Sequence, residues 1–447
     1  MRAAAAVLLC SISLATRALA GEPEPPRGDA PRLLDPSDPD YRTPRAGEAF
    51  RTEIFGRDVD LDARDRRSTS AFDLGGGAWI PGADQGEVLP FGSLYFWRRP
   101  EDWFLRANVG LLYNDVTWAH SLAAGNPFEV VVEFENNTVP IDNAQWADGE
   151  RLQAGELRKG WVRGALGLGY RRQLKPGWRT PVFTDRVDPQ KPDNMFSIAL
   201  LAEPKYLYFS ERNSDPRFVV PQDTFELDGK LAVRWDALER NLLELAHSGY
   251  AFGFDASYGW RANWEDWGIN RSERAERGRY PKLFQTYAVA ATGVPGLSER
   301  DRWLQLVHAG WGWGLDRFSQ PRVGGGPGGQ EFGSLSRPLL PGADISEFTP
   351  NKHYAIALSE YRYELFFFTY LSARGGIAWL DRDRLTALGD TGPIHHQNDF
   401  LVPVGAGITT GFLFKTQLQL DYNYNFDVIR EGERGGSEVV LHVSKSF

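Results

Sequence analysis

The chain has 447 residues, including 15 Trp and 47 Gly, and its formal net charge of −9 disfavours a nucleic-acid partner. The single cysteine, Cys10, lies in a short apolar N-terminal stretch. The rest of the chain therefore has no disulfide, thiolate nucleophile or cysteine-based metal site. No run of about eighteen apolar residues is present, which argues against a transmembrane helix.

The first twenty residues have the pattern of a secretory signal. Arg2 supplies the positive start, an apolar stretch follows, and Ala18 and Ala20 form a small-x-small cleavage site. We therefore expect residues 1–20 to be a signal peptide and the rest of the chain to be exported.

Residues 21–70 form the next predicted unit, a periplasmic lead. Its first part is rich in Pro, Asp, Glu and Arg, a composition typical of an extended or disordered segment. The part from 49 to 70 admits two interpretations: a solvated linker, or a segment that enters a polar lumen.

From residue 71 to 447 the dominant pattern is alternation of apolar and polar side chains. Leu418, Leu420 and Tyr422, for example, interleave with Gln419 and Asp421. The polar face carries full charges in strand after strand, and the apolar face often ends in Tyr, Trp or Phe, as at membrane interfaces. Because strands in lipid must satisfy all their backbone groups, the pattern predicts a closed antiparallel transmembrane β-barrel, an all-β fold in a bacterial outer membrane.

The alternation predicts fifteen strands, and single-chain barrels of this kind have an even number. We therefore expect sixteen strands, with fourteen as the alternative, and place the missing strand within 142–158. The fifteen segments lie near 72–80, 88–98, 103–118, 127–138, 160–174, 195–209, 224–236, 249–261, 280–293, 301–315, 353–365, 367–381, 400–412, 415–427 and 437–447.

Connection lengths predict which strand ends lie together. Tight periplasmic turns are expected at 98–102, 365–367 and 413–415, and long extracellular loops near 262–279, 316–352 and 382–399.

The last strand turns Val443 and Phe447 outward, and Glu438 and His442 inward. A terminal Phe on an amphipathic strand resembles the signal that the outer-membrane assembly machinery recognises, so we expect that machinery to be a partner during biogenesis.

The region from 316 to the end carries a family resemblance. A glycine-rich stretch, Gly324 to Gly329, runs through Ser336-Arg337-Pro338-Leu339-Leu340-Pro341-Gly342 into a strand with Glu360-Tyr361-Arg362-Tyr363-Glu364-Leu365. This order resembles the bacterial surface antigen family, the sixteen-stranded barrels of BamA-type assembly factors and two-partner secretion transporters. In that family an arginine-bearing loop folds into the lumen, and a Glu-Tyr-Arg strand follows it.

The resemblance implies a set of loop and lock residues, and it also shows departures. The implied residues are Arg337, Gly342, Glu360, Arg362 and Arg374. Arg374 occupies the position where the family has an acidic residue facing the loop arginine. Either the alignment is displaced or Glu331, Glu347 or Glu360 supplies the anion. Residues 21–70 are also too few for one complete periplasmic POTRA domain.

The function that the resemblance implies is outer-membrane assembly or translocation of protein or lipid, with lipid and a secreted protein or lipid client as partners. Two alternatives from other classes are a passive porin or solute channel, and a structural or adhesive barrel. The inward charges fit either a salt-bridge network that closes the lumen or the lining of a water-filled channel. These charges are Glu226, Asp228, Lys230, Arg234, Asp255, Arg261, Glu360, Arg362, Glu364, Asp421 and Asp427.

The sequence predicts no enzyme, metal site or cofactor. The seven histidines lack a metal-binding spacing and are expected at the surface, and no nucleophile elbow or phosphate loop is present. His442 and Ser444 come nearest to a lipase pair, but their inward direction argues against that role.

Overall fold

The computed structural model describes most of the chain from residue 50 onward. The described ranges are 50–54, 57–61, 68–80, 88–99, 102–110, 113–137, 141–143, 146–147, 150–151, 157–174, 183–184, 194–211, 216–238, 245–262, 264–269, 280–298, 300–326, 335–344, 347–350, 352–366, 369–384, 395–412, 416–430 and 433–447. The predicted signal peptide and most of the predicted lead lie outside these residues. Within the described part, no helix is long and apolar enough to cross a membrane.

Sixteen antiparallel strands close into one barrel, as predicted. They are β1 (Ser68–Ile80), β2 (Val88–Arg98), β3 (Trp103–Gly110), β4 (Tyr113–Ser121), β5 (Phe128–Asn137), β6 (Leu157–Leu174), β7 (Met195–Glu211), β8 (Thr224–Asp236), β9 (Gly249–Arg261), β10 (Lys282–Gly293), β11 (Asp301–Trp313), β12 (His353–Phe366), β13 (Thr369–Arg384), β14 (in two parts, His395–Leu401 and Pro403–Phe412), β15 (Thr416–Arg430) and β16 (Glu433–Ser446).

Further short strands are described outside the sixteen. They are Phe50–Ile54 paired with Arg57–Leu61, Ile141–Asn143, Trp146–Ala147 paired with Glu150–Arg151, Phe183–Thr184, and Phe218–Val219 paired with Gly268–Ile269. The hairpin 50–61, which falls in the predicted lead, pairs with itself and forms no ladder with the described barrel strands.

The alternation in the sequence sorts side chains between two environments. On β15, Leu420 and Tyr422 are 43% and 49% exposed on the outer face, whereas Gln419 and Asp421 are 7% and 4% exposed on the lumen face. A polar interior with an apolar exterior is stable only where hydrocarbon surrounds the barrel. The protein is therefore a bacterial outer-membrane barrel.

The seam between β16 and β1 closes the barrel. Their ladder runs without interruption from the pair Ser437 and Ile80 to the pair Ser446 and Ala71. Phe447 extends it, since its backbone N–H donates to the Ser70 carbonyl at 2.8 Å. No strand edge is left for lipid to solvate, as a membrane barrel requires.

The sixteenth barrel strand does not come from 142–158 as predicted, although the total of sixteen is right; the described residues from 141 to 151 form only strand pieces of two or three residues. The extra strand arises because the segment predicted at 103–118 is a hairpin of two strands, β3 and β4, with only residues 111–112 between them. Alternation continues through so short a turn, so hydrophobic periodicity does not mark it.

The connections divide between two ends of the barrel. Residues 99–102, 367–368 and 413–415 join strands at one end, called here the turn end. Residues 262–281 and 314–352 join strands at the opposite end, called here the loop end. The grouping follows the predicted one, and the alternating direction of the strands produces it.

Candidate functional site

The connection between β11 and β12, residues 314–352, turns back into the barrel and is called here the lumen loop. Val323, Leu340 and Ala343 are fully buried, in a cluster with Tyr354 of β12 and Leu380 of β13. Since both strand residues face the lumen, the loop packs against the inner wall instead of extending into solvent.

The described parts of the loop are folded upon each other. Val323 and Phe348 exchange backbone hydrogen bonds of 2.9 and 2.8 Å, and Leu340 N–H donates to Gly324 O at 2.8 Å. These bonds satisfy backbone groups that would otherwise be buried without partners. The described parts of the loop therefore form one insert in the lumen.

Glu438 of β16 binds the loop most directly. Its carboxylate accepts backbone hydrogen bonds from Gly342 at 3.0 Å and from Gly326, and a side-chain bond from Asn423 at 2.9 Å. Charged acceptors make stronger hydrogen bonds than neutral ones. One buried carboxylate thus joins two distant points of the loop to the last strand.

The neighbouring strand β1 holds the next residue of the loop. Trp79 Nε1 donates to Ala343 O at 2.8 Å, and Trp79 is the direct cross-strand partner of Glu438. Gly342 lies between these contacts with φ +79°, and a Cβ there would lie 2.7 Å from Asn425 N. This position therefore requires glycine.

The start of the loop is attached to the opposite wall of the barrel. Arg261 of β9 binds Asp316, and Lys159 Nζ of β6 donates to Phe318 O at 2.9 Å. Burial raises the pKa of Asp316, but the charge of Arg261 and hydrogen bonds from Arg261 and Ser319 outweigh it, so the pKa lies below its usual value. The carboxylate is therefore ionised over a wide pH range.

His308 of β11 binds the middle of the loop. Its Nε2 donates to Ser336 O at 2.9 Å, because a carbonyl can only accept, and its Nδ1 then accepts from Tyr354 at 3.0 Å. The expectation of surface histidines is wrong for His308, which is 1% exposed, whereas His442, 3% exposed, faces inward as the alternation of its strand predicts. His442 contacts Asp73 across the seam on the lumen side.

The implied lock residues fall into two groups. Arg374 binds Glu360 at 3.1 Å and Asp421 at 2.6 Å, and Arg362 also binds Glu360. Arg337 is separate, and its Nη2 donates to the Gly325 carbonyl at 2.6 Å.

These contacts correct the expectation about the anion. Glu360 binds Arg362 and Arg374 instead of Arg337. The charge of Arg374, which stands where the family has an acidic residue, is therefore neutralised by a carboxylate of the barrel wall. Glu347 accepts from Asp344 N at 2.6 Å, and Glu331 lies outside the described residues.

Away from the loop, the lumen wall of β3 to β9 carries interstrand ion pairs. Arg163 contacts Glu133, Glu135 and Glu203, and Lys230 contacts Glu203 at 3.5 Å. Further pairs join Arg106 with Asp115, Arg234 with Asp255, and Glu226 with both Lys205 and Arg261. Most of the predicted inward charges thus take part in a network, whereas Asp427 accepts a hydrogen bond from Val402 N at 3.0 Å.

Val443 and Phe447 lie at the turn end of β16. Phe447 is 64% exposed, with its ring 5.9 Å from that of Phe72. Its role as an assembly signal stays a prediction. Among the described residues, no group of three or more His, Cys, Asp or Glu side chains is arranged to hold a metal ion.

Sequence reasoning did not single out Glu438, Trp79, Lys159 or His308 as loop-binding residues. In the sequence, each of them is one residue of an alternating strand and has no feature that distinguishes it from its neighbours. Pairs such as Trp79 and Ala343, 264 positions apart, depend on strand register that periodicity does not give.

No family model and no curated protein matches the sequence. Among solved structures, BamA from Haemophilus ducreyi lacking POTRA domains 1–3 matches 90% of this chain and 75% of its own, with TM-score 0.50 and 10% identity. CdiB from Acinetobacter baumannii matches 91% of this chain at TM-score 0.49 and 10% identity, and this chain covers 65% of it. CdiB from Escherichia coli matches 90% of this chain and 67% of its own at TM-score 0.44 and 13% identity. The chain therefore shares the fold of the BamA barrel, a closed antiparallel β-barrel of the outer membrane.

Proposed function

We propose that the barrel assists outer-membrane assembly or translocates a protein or lipid client, and that it is neither a passive porin nor an enzyme. The observation that carries this proposal is the lumen loop, which is attached to β16 and β1 on one side and to β6 and β9 on the other. Sixteen strands alone leave a lumen wide enough for water. A loop fixed across that lumen obstructs steady diffusion.

The similarity of the fold to that of BamA supports the same proposal. The ion pairs on β3 to β9 add to the obstruction by drawing charged side chains together across the wall. A porin would instead benefit from charges left free to contact passing solutes.

Single-channel recording in planar bilayers tests the closed state. We expect near-silence for the full chain, interrupted at most by brief openings. A steady ohmic current in the wild-type protein would support the porin alternative and overturn the proposal.

Photocrosslinking in living cells tests the client. A photoreactive side chain at Ala232, on the lumen face of β8, is expected to capture a polypeptide or lipid in transit. Leu231, 36% exposed on the lipid face of the same strand, is the matched control position. Equal products at both positions, or none from the lumen position, would leave a purely structural or adhesive barrel as the better account.

A further inference from the structure

The lumen contains a cavity of about 160 Å³ beneath the lumen loop. Gly325 and Pro341 of the loop form its roof. Tyr370 and Gln419, which lie near the turn-end termini of β13 and β15, line its other side. The cavity therefore extends from the loop toward the turn end.

Described residues of a second connection, 237–238 and 245–248, lie in the lumen at the turn end. Residues 237–248 connect β8 to β9, and Arg362 Nη1 donates to Ala246 O at 3.0 Å within this connection. Leu238 and Ala246 form a cluster with Leu335 of the lumen loop. The cavity lies where these two inserts meet the wall of β10 to β16.

One wall of the cavity is apolar. Its leucines come from the turn-end segment, from β11, from the lumen loop and from β12. Leu238 is buried. The other leucines are only half-buried: Leu245, Leu304, Leu306, Leu335 and Leu358. Apolar surface left facing a water-sized space raises the free energy, so this wall favours an apolar occupant.

The rest of the lining includes charged residues, and its acids already have partners. Glu360 and Asp421 bind Arg362 and Arg374, while Glu438 accepts bonds from the loop backbone. Arg337 differs, because its guanidinium makes one hydrogen bond, to the Gly325 carbonyl. In the described part of the chain it has no ion pair within 4.0 Å, and the charge that acts on it from farther away is that of Glu438. A cation with unused donors thus lines a cavity whose other wall is leucine.

We propose that this cavity binds a single-chain anionic amphiphile of the fatty-acid type, with its carboxylate on Arg337 and its acyl chain along the leucine wall. A guanidinium binds a carboxylate through paired hydrogen bonds. A water needs about 10–15 Å³ of such a cavity, so the space holds on the order of ten non-hydrogen atoms, which suits a medium-length chain. This site is separate from the translocation proposal, and either can fail without the other.

Decanoate binding to the full chain in phosphatidylcholine nanodiscs tests the proposal. Equilibrium dialysis with radiolabelled decanoate should show saturable binding, displaced by unlabelled decanoate and not by decyltrimethylammonium. Arg337→Gln should weaken it roughly tenfold, the loss expected for a charge-assisted bond. Arg234→Gln is the matched control, because Arg234 binds Asp255 elsewhere in the lumen, and it should bind as the wild type does.

A second measurement covers the case in which Arg337→Gln disturbs the loop. A diazirine analogue of decanoate should label Leu304 or Leu306 in the wild-type barrel, with the folded state verified by heat-modifiable migration. Three results would overturn the proposal: absence of saturable binding, equal binding by the folded Arg337→Gln variant, or displacement by the ammonium amphiphile. Labelling confined to lipid-facing residues would also overturn the proposal.

Discussion

The two halves of the lumen accommodate buried charge in different ways. On β3 to β9, strands pair their own charges across the wall, as in the contacts of Arg163 with Glu135 and Glu203. On β10 to β16 and β1, Arg374 also pairs with Glu360 and Asp421 within the wall, but the lumen loop covers that wall and the carboxylate of Glu438 binds loop backbone instead of a cation. The first half is closed by side chains of adjacent strands, and the second by a distant segment. Only the second closure is removable without changing the wall itself.

Excision of the lumen loop should have the largest effect on this contrast. Replacing residues 317–349 with a short Gly-Ser linker leaves all sixteen ladders in place, so the barrel should still fold. Conductance in planar bilayers should rise from near-silence to a current on the order of a nanosiemens. A folded but silent variant would mean that the charged half closes the lumen alone.

Glu438→Gln should release the loop without removing it. Loss of the charged acceptor for Gly342 and Gly326 should weaken loop docking by about 2 kcal/mol, or roughly thirtyfold in its equilibrium. The open probability of the channel and the protease sensitivity of the loop measure this weakening. Glu129→Gln, which removes a partner of Arg171 in the other half, is the matched control and should leave both unchanged.

Arg163→Gln should show the opposite profile. It leaves Glu133, Glu135 and Glu203 close together without their shared cation, which should cost the barrel about 2–3 kcal/mol of unfolding free energy. Urea unfolding in lipid vesicles, followed by Trp fluorescence, measures this loss. The contrast between the halves fails if this variant opens the channel as Glu438→Gln does.

Acidification should give the smallest effect, at the contact between the two halves. The pKa of Asp316 is lowered in the folded barrel, so its contribution is complete above the unfolded value of roughly 3.9 and is lost as pH falls through the folded value. Loop openings should stay rare from pH 8 to 5 and increase below about pH 4. Asp316→Asn should open more often at neutral pH and lose the part of the acid response that this carboxyl contributes.

The sequence allowed the barrel to be predicted because alternation is a local property. Leu420 and Tyr422 alternate with polar neighbours in the sequence, and in the barrel the same residues alternate between the outer face and the lumen face. Where a turn preserves alternation, as between Gly110 and Tyr113, the prediction merged two strands into one. Hydrophobic periodicity cannot locate a strand boundary at which the alternation does not change.

The site was less predictable because its contacts join residues far apart in sequence. The Glu-Tyr-Arg strand directed attention to Glu360 and Arg362, yet the second partner of Arg374 is Asp421, 47 residues later. Glu438 was predicted to face inward, but an inward carboxylate can bind a cation, water or backbone. The choice depends on register and on where the loop lies.

The seam gives the loop contacts a consequence for the order of folding. Trp79 and Glu438 are cross-strand partners on the first and last strands, and adjacent loop residues, Ala343 and Gly342, bind one each. This binding platform does not exist until the two termini of the sheet have met. Docking of the loop on this platform is therefore a late event, and a barrel halted before closure would hold the loop only through its contacts with other strands, among them β6, β9, β12 and β13.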